Sequence, residues 1–131
     1  MKYRDLGRTG LEVPPICLGA MNFGGPSDER DAQIVINLCR ESGINFPDTA
    51  NVYTGEKSEE IVGRGVHADR HRWVIATKVN AVTGDGPNER GSSRKSVMDA
   101  VDGSLARMRV DYIDVYNLPV EGRPIHSGDA A

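Results

Sequence analysis

Three residues in this chain have the types and spacing for proton transfer. Asp48 and Tyr53 lie in the stretch INFPDTANVYTGEKSEE (44–60), and Lys78 lies near the end of the apolar run WVIATKV (73–79). A phenol is a weak acid at neutral pH, with a free pKa of about 10. An ammonium group beside a phenol stabilises the phenolate, and a carboxylate paired with that ammonium keeps the cation in place. A phenol so placed can protonate a carbonyl oxygen as hydride arrives at carbon. Each residue also has a plainer reading: Asp48 as a turn cap, Tyr53 as a half-exposed aromatic, Lys78 as a lysine snorkelling at a strand end. Chemistry is favoured because all three fall at or just past strand ends, on one predicted face of a sheet.

The elements that must position them follow from the pattern. Tyr3 to Leu6 and Leu11 to Val13 flank GRTG (7–10), which predicts a β-hairpin. Ile16 to Gly19, Ile44 to Phe46, Trp73 to Val79 and Tyr112 to Leu118 read as four strands, with starts about 30 residues or more apart. Between them the pattern predicts three helices. The first is capped by Ser27 or Asp28, carries Ile34, Val35, Leu38 and Cys39 at helical spacing, and stops at Gly43. The second is capped by Ser58, with Glu59 and Glu60 in its first turn and Ile61 and Val62 on its apolar side. The third follows Ser92-Ser93 and places Val97, Met98, Val101, Leu105 and Met108 on one face. The order is hairpin, then β-α-β-α-β-α-β, an α/β fold with right-handed crossovers between parallel strands. Pro47 sits where a strand needs a ladder N–H, and Gly65 and Gly103 each cost a helix about 1 kcal/mol against alanine.

Composition narrows the function classes. The 131 residues carry 16 basic and 19 acidic side chains, a net charge of −3 with the signs well mixed. A nucleic-acid partner is not expected without a basic stripe, nor a membrane span without about 18 consecutive apolar residues. Cys17 and Cys39 lack metal or redox spacing and read as small buried thiols in a reducing compartment, so the cytoplasm is the expected location. His67 and His71 have i, i+4 spacing but no third ligand nearby, so no metal is expected. GDGPNERG (84–91) reads as a loop at the strand C-terminal end, and Asp114 as a structural polar residue.

The stretches GINFPDTANVYTGEKSEEIVGRGV, WVIATKV and DYIDVYNL resemble the N-terminal half of an aldo/keto reductase. So do YRDLGRTGLEVPPICLGAMNFGG and GDGPNERGSSRKSVMDAVDGSLARM, and the resemblance covers about residues 2 to 118. It implies a (β/α)8 TIM barrel with an N-terminal hairpin at its bottom, here incomplete, with about four βα units in residues 1–118. It implies NADPH-dependent reduction of a small carbonyl substrate, an aldehyde or ketone, without metal. It would make Tyr53 the general acid, Lys78 the cation that eases loss of its proton, and Asp48 the partner of Lys78. Gly19, Ala20 and Met21 would border the nicotinamide, with Asp48 near the ribose. The family's fourth residue, a histidine after the fourth strand, has no counterpart: Pro119 stands there, and His126 lies in a divergent tail (119–131) expected to be disordered. The chain is accordingly expected to be a truncated reductase, weakly active or inactive. The alternatives are a non-catalytic half-barrel that assembles through its open sheet edges and a non-functional gene fragment.

Overall fold

The computed structural model describes residues 1–79 and 82–118. The hairpin forms as expected: β1 (Arg4–Asp5) runs antiparallel to β2 (Glu12–Val13), and the Leu6 amide donates to the Leu11 carbonyl to close the turn. Four further strands, β3 (Leu18–Gly19), β4 (Pro47–Asp48), β5 (Ala76–Lys78) and β6 (Val115–Asn117), form one parallel sheet in chain order. α1 (Glu29–Ser42), α2 (Lys57–Val66) and α3 (Arg94–Met108) connect them. The core lies between sheet and helices, built from Leu18, Phe23, Ile36, Ile61, Val62, Val66, Trp73, Ile75 and Met108 among others.

The strands are shorter than their apolar runs. Trp73, Val74 and Ile75 are buried yet precede β5, which spans only Ala76–Lys78. Pro47 does stand in a central strand, since β4 pairs on both sides. Proline offers no N–H, and groups on either side of it carry the pairing: the Asn45 carbonyl accepts from Val74 N, and Thr49 N donates to Ala76 O.

The helix ends match expectation at three places. The Asp28 carboxylate accepts from Asp31 N, Gly43 ends α1 at φ 79°, and the Ser93 hydroxyl accepts from Ser96 N. The helix faces match in part: Ile61 and Val62 of α2, Cys39 of α1 and Met108 of α3 are buried and Val35 packs against the core, as expected, but other positions differ. α1 buries Ala32, Ile36 and Cys39, while Ile34 and Leu38 are exposed. At 100° per residue those two sit opposite Ile36, away from the sheet. α3 buries Ser96, Ala100, Ser104 and Met108, a stripe of mostly small residues, and leaves Met98 exposed.

Two glycines set how closely the helices approach. A Cβ on Gly63 would stand 2.1 Å from the Met108 carbonyl oxygen, and one on Gly65 would stand 2.5 Å from Ile36 Cδ1. Gly65 is therefore a packing requirement, and the helix-propensity cost is the smaller effect.

Below the sheet, the 3₁₀ segment His67–Arg72 carries Asp69. Asp69 accepts two hydrogen bonds from Arg40 and one from Trp73 Nε1. The Arg40 hydrogen bond is the main reason its carboxyl is held below the ordinary value of 3.8; burial opposes this and the bond from Trp73 reinforces it. A depressed carboxylate stabilises the fold above that ordinary value, and the contribution is lost as pH falls through the folded value. We expect Asp69→Asn to flatten the acid limb of a plot of Tm against pH. An acid limb identical to wild type would remove Asp69 from that role. Asp114 is structural, as expected: its Oδ2 accepts from Arg70 and from Ile75 N.

Cys39 is buried, but Cys17 is exposed, which corrects the expectation of two buried thiols. Successive strand residues face opposite ways, so Leu18 enters the core while its neighbours Cys17 and Gly19 do not. Burial also raises the Cys39 thiol pKa. We expect a thiol reagent to label Cys17 in the folded chain and Cys39 only after denaturation, as mass spectrometry of the two peptides would show.

Candidate active site

Asp48, Tyr53 and Lys78 are brought together at the C-terminal ends of neighbouring strands. Asp48 ends β4 and lies in register with Gly19 on one side and Ala76 on the other. Lys78 ends β5 beside Asn117. Lys78 Nζ donates to both carboxylate oxygens of Asp48, at 3.0 and 2.9 Å, and stands 5.0 Å from the centre of the Tyr53 ring. Each side chain of the ion pair is about one third exposed, at 32% and 35%. Solvent and ligand therefore reach a pair that the strands hold in place.

The charge on Lys78 is secured by its neighbours. Burial disfavours the ammonium, but hydrogen bonds to the Asp48 carboxylate and the Tyr53 hydroxyl outweigh it and hold its pKa above the ordinary lysine value. The lysine is thus a cation throughout the neutral range, facing a phenol.

Tyr53 is placed by a tight turn. Thr54, Gly55 and Glu56 have φ of 50°, 61° and 74°, a left-handed run that is costly for a β-branched residue such as Thr54. The Thr54 hydroxyl is within hydrogen-bond distance of Phe23 O (2.5 Å) and Tyr53 O (2.8 Å), tying the loop after β4 to the loop after β3. Sequence reasoning missed this latch, because a threonine in a polar loop carries no distinguishing signal.

The start of α2 also differs from expectation. Its N-cap is Glu56, with no side-chain cap bond, and Ser58 and Glu59 lie inside the helix, fully buried. The Ser58 hydroxyl donates to Ala20 O and shares a hydrogen bond with Thr49. Glu59 accepts from Thr77 and from Arg107.

Of the residues expected at a cofactor, Gly19 is exposed and nothing lies within 4 Å of where its Cβ would be. Met21 is exposed beside it. Ala20 has its methyl group in the core, so only its backbone faces the strand ends. The space over Gly19, next to Asp48, is open. The position where the family's histidine would stand, Pro119, and the whole 119–131 segment lie outside the described residues. The 84–91 loop folds back on itself, with Thr83 N donating to Glu89 O. Between it and α3 lies a cavity of about 570 Å³ lined by Asn51, Val52, Glu56, Glu89, Asp99 and Arg107 among others, and none of the three site residues touches it. Among the described residues no cluster of His, Cys, Asp and Glu could hold a metal ion. No helix among them is long and apolar enough to cross a membrane.

A hairpin followed by parallel βα units, with polar residues gathered at the strand C-termini, defines an α/β protein. The chain belongs to the aldo/keto reductase family, whose model matches residues 15–119. It is 40% identical over 119 residues to a probable voltage-gated potassium channel subunit beta of Oryza sativa subsp. japonica, covering 88% of this chain and 36% of that one. It is 40% identical over 129 residues to the uncharacterized oxidoreductase YrpG of Bacillus subtilis (strain 168), covering 90% and 40%. Its fold is similar to that of the aldo-keto reductase AKR11C1 from Bacillus halodurans (holo form), with a TM-score of 0.80 and 35% identity over 90% of this chain and 40% of that one. The chain thus spans about two fifths of the length of these relatives.

Proposed function

We propose that the chain carries the proton-donating part of an NADPH-dependent carbonyl-reducing site, turning an aldehyde or ketone into an alcohol. The observation that carries this reading is the Asp48–Lys78 pair set against the Tyr53 ring at adjacent strand ends. A bound nicotinamide supplies the hydride. Gly19, the Ala20 backbone and Met21 would border the ring, and Asp48 would lie near the ribose. The Tyr53 hydroxyl donates a hydrogen bond to the substrate carbonyl oxygen and passes its proton to that oxygen as negative charge develops there. The Lys78 ammonium offsets the charge left on the phenolate, and Asp48 fixes the ammonium against movement. Membership of the family supports the reaction class, and the open floor at Gly19 supports the cofactor.

The test of the cofactor part is a titration of the purified chain with NADPH, followed by quenching of the fluorescence of Trp73, the single tryptophan. Saturable quenching that Gly19→Val weakens is expected. A chain with a cooperative melting transition and no saturable quenching would reject the reading.

A second reading, a non-catalytic partner subunit, draws on two of the relatives, from Oryza sativa and Arabidopsis thaliana, being named as probable potassium channel subunits. Among the described residues, β3 and β6 each pair on one side only, and an unpaired strand edge is a place for another chain. Sedimentation as a monomer at all concentrations would count against assembly of the chain with itself.

A further inference from the structure

The first turn of α2 is tied by hydrogen bonds to the ends of three strands. Ser58 Oγ donates to Ala20 O (2.7 Å), just after β3, and bonds Thr49 Oγ1 (2.8 Å), just after β4. Thr77 Oγ1, in β5, donates to Glu59 Oε1 (2.6 Å). All four side chains belong to residues with 0% exposure: Thr49, Ser58, Glu59 and Thr77. A carboxylate so deeply buried is costly unless it is paired and hydrogen-bonded. Glu59 meets both conditions, because its other oxygen accepts from Arg107 Nε of α3 at 2.5 Å.

The partners of this cluster are specific. Thr49 follows Asp48 and Thr77 precedes Lys78 in the chain. Side chains alternate along a strand, so the threonines point into the helix layer while Asp48 and Lys78 point to the opposite face. Each acid–base residue on one face is thus backed by a buried hydroxyl on the other. A buried ion pair serving stability alone could join any two helices. This one reaches through Thr77 to the residue next to Lys78.

We propose that Glu59 is a positioning residue, acting through Thr77 to hold the end of β5 so that Lys78 stays between Asp48 and Tyr53. Its consequence for the reaction rests on the reading given above, but the placement of Lys78 is measurable without turnover. An amine reagent such as acetic anhydride acylates only the unprotonated amine, so a lysine held as a paired ammonium reacts slowly. Each unit by which its pKa falls raises the unprotonated fraction near neutral pH about tenfold, partly offset by the lower nucleophilicity of a less basic amine.

The experiment compares acylation of Lys78 with that of exposed Lys57, by mass spectrometry, in the wild-type chain and three variants. Glu59→Ala and Thr77→Val are each expected to speed Lys78 relative to Lys57 by several-fold to about tenfold. Thr77→Val retains the Glu59–Arg107 pair and covers the case in which Glu59→Ala does not fold. Ile36→Ala, which empties a fully buried position on α1, is expected to lower the melting temperature and leave the ratio unchanged. A natively folded Thr77→Val chain with the wild-type ratio overturns the proposal, as does an equal rise in Ile36→Ala. Failure of the wild-type chain to bind or oxidise NADPH would count against the reductase reading and leave this result standing.

Discussion

On the proposed reading, replacing Tyr53 with phenylalanine is expected to remove at least about a hundredfold of the carbonyl reduction, the ordinary scale of a lost general acid. The ring, its packing and its place 5.0 Å from Lys78 Nζ are all retained, and only the hydroxyl goes, with its proton and its hydrogen bond to Lys78. The loss should therefore fall mainly on kcat, with the NADPH affinity unchanged, because the bond to the carbonyl oxygen strengthens as charge develops there. Lys78→Met should lose activity too, and for a further reason: it leaves Asp48 without the cation that accounts for both of its oxygens. Steady-state rates of the two variants, beside a wild-type NADPH titration, check both statements. A Tyr53→Phe chain as active as wild type would show that the proton comes from elsewhere.

The second large effect is on stability. Gly63→Val places a Cβ where the Met108 carbonyl oxygen stands 2.1 Å away. That atom belongs to the backbone at the end of α3, so relief requires α2 and α3 to separate. The expected cost is about 3 kcal/mol or more, a large part of the stability of a domain this size. Gly103→Ala provides the contrast. Its Cβ would first meet the tip of the Arg107 side chain at 3.1 Å, which can shift, and alanine gains up to about 1 kcal/mol of helix propensity. Urea unfolding should find Gly63→Val partly unfolded without denaturant and Gly103→Ala at or slightly above wild-type stability. Equal effects at the two sites would contradict the close helix crossing.

Much of the fold could be read from the chain because its signals are local. The hairpin turn, the Asp28 and Ser93 caps, the Gly43 stop and the order of strands and helices all depend on neighbours within a few residues. The Asp48, Tyr53 and Lys78 grouping was legible for a related reason: in a parallel sheet every strand C-terminus lies on the same side, so position along each strand is enough to bring them together. The helix faces were legible only in part: Ile61, Val62, Cys39 and Met108 are buried as their spacing implies, but hydropathy ranks Ile34, Leu38 and Met98 above Ala32, Ser96 and Ser104, and it is the small residues that are buried. Nor could Ser58 and Glu59 be placed. Before a helix they have the composition of a cap and a dipole partner; their buried roles depend on Thr49, Thr77 and Arg107, which are distant in sequence or belong to other elements. Pro47 and Gly65 looked like defects, because a residue's cost is visible locally while the close approach it permits is not.

The most direct test of the account is turnover by the purified chain. With NADPH and 4-nitrobenzaldehyde, the account predicts a fall in the NADPH absorbance band that saturates with aldehyde, matches the alcohol formed mole for mole, and is lost in Tyr53→Phe. A chain that melts cooperatively yet leaves that band unchanged over a prolonged incubation at high protein concentration would contradict it.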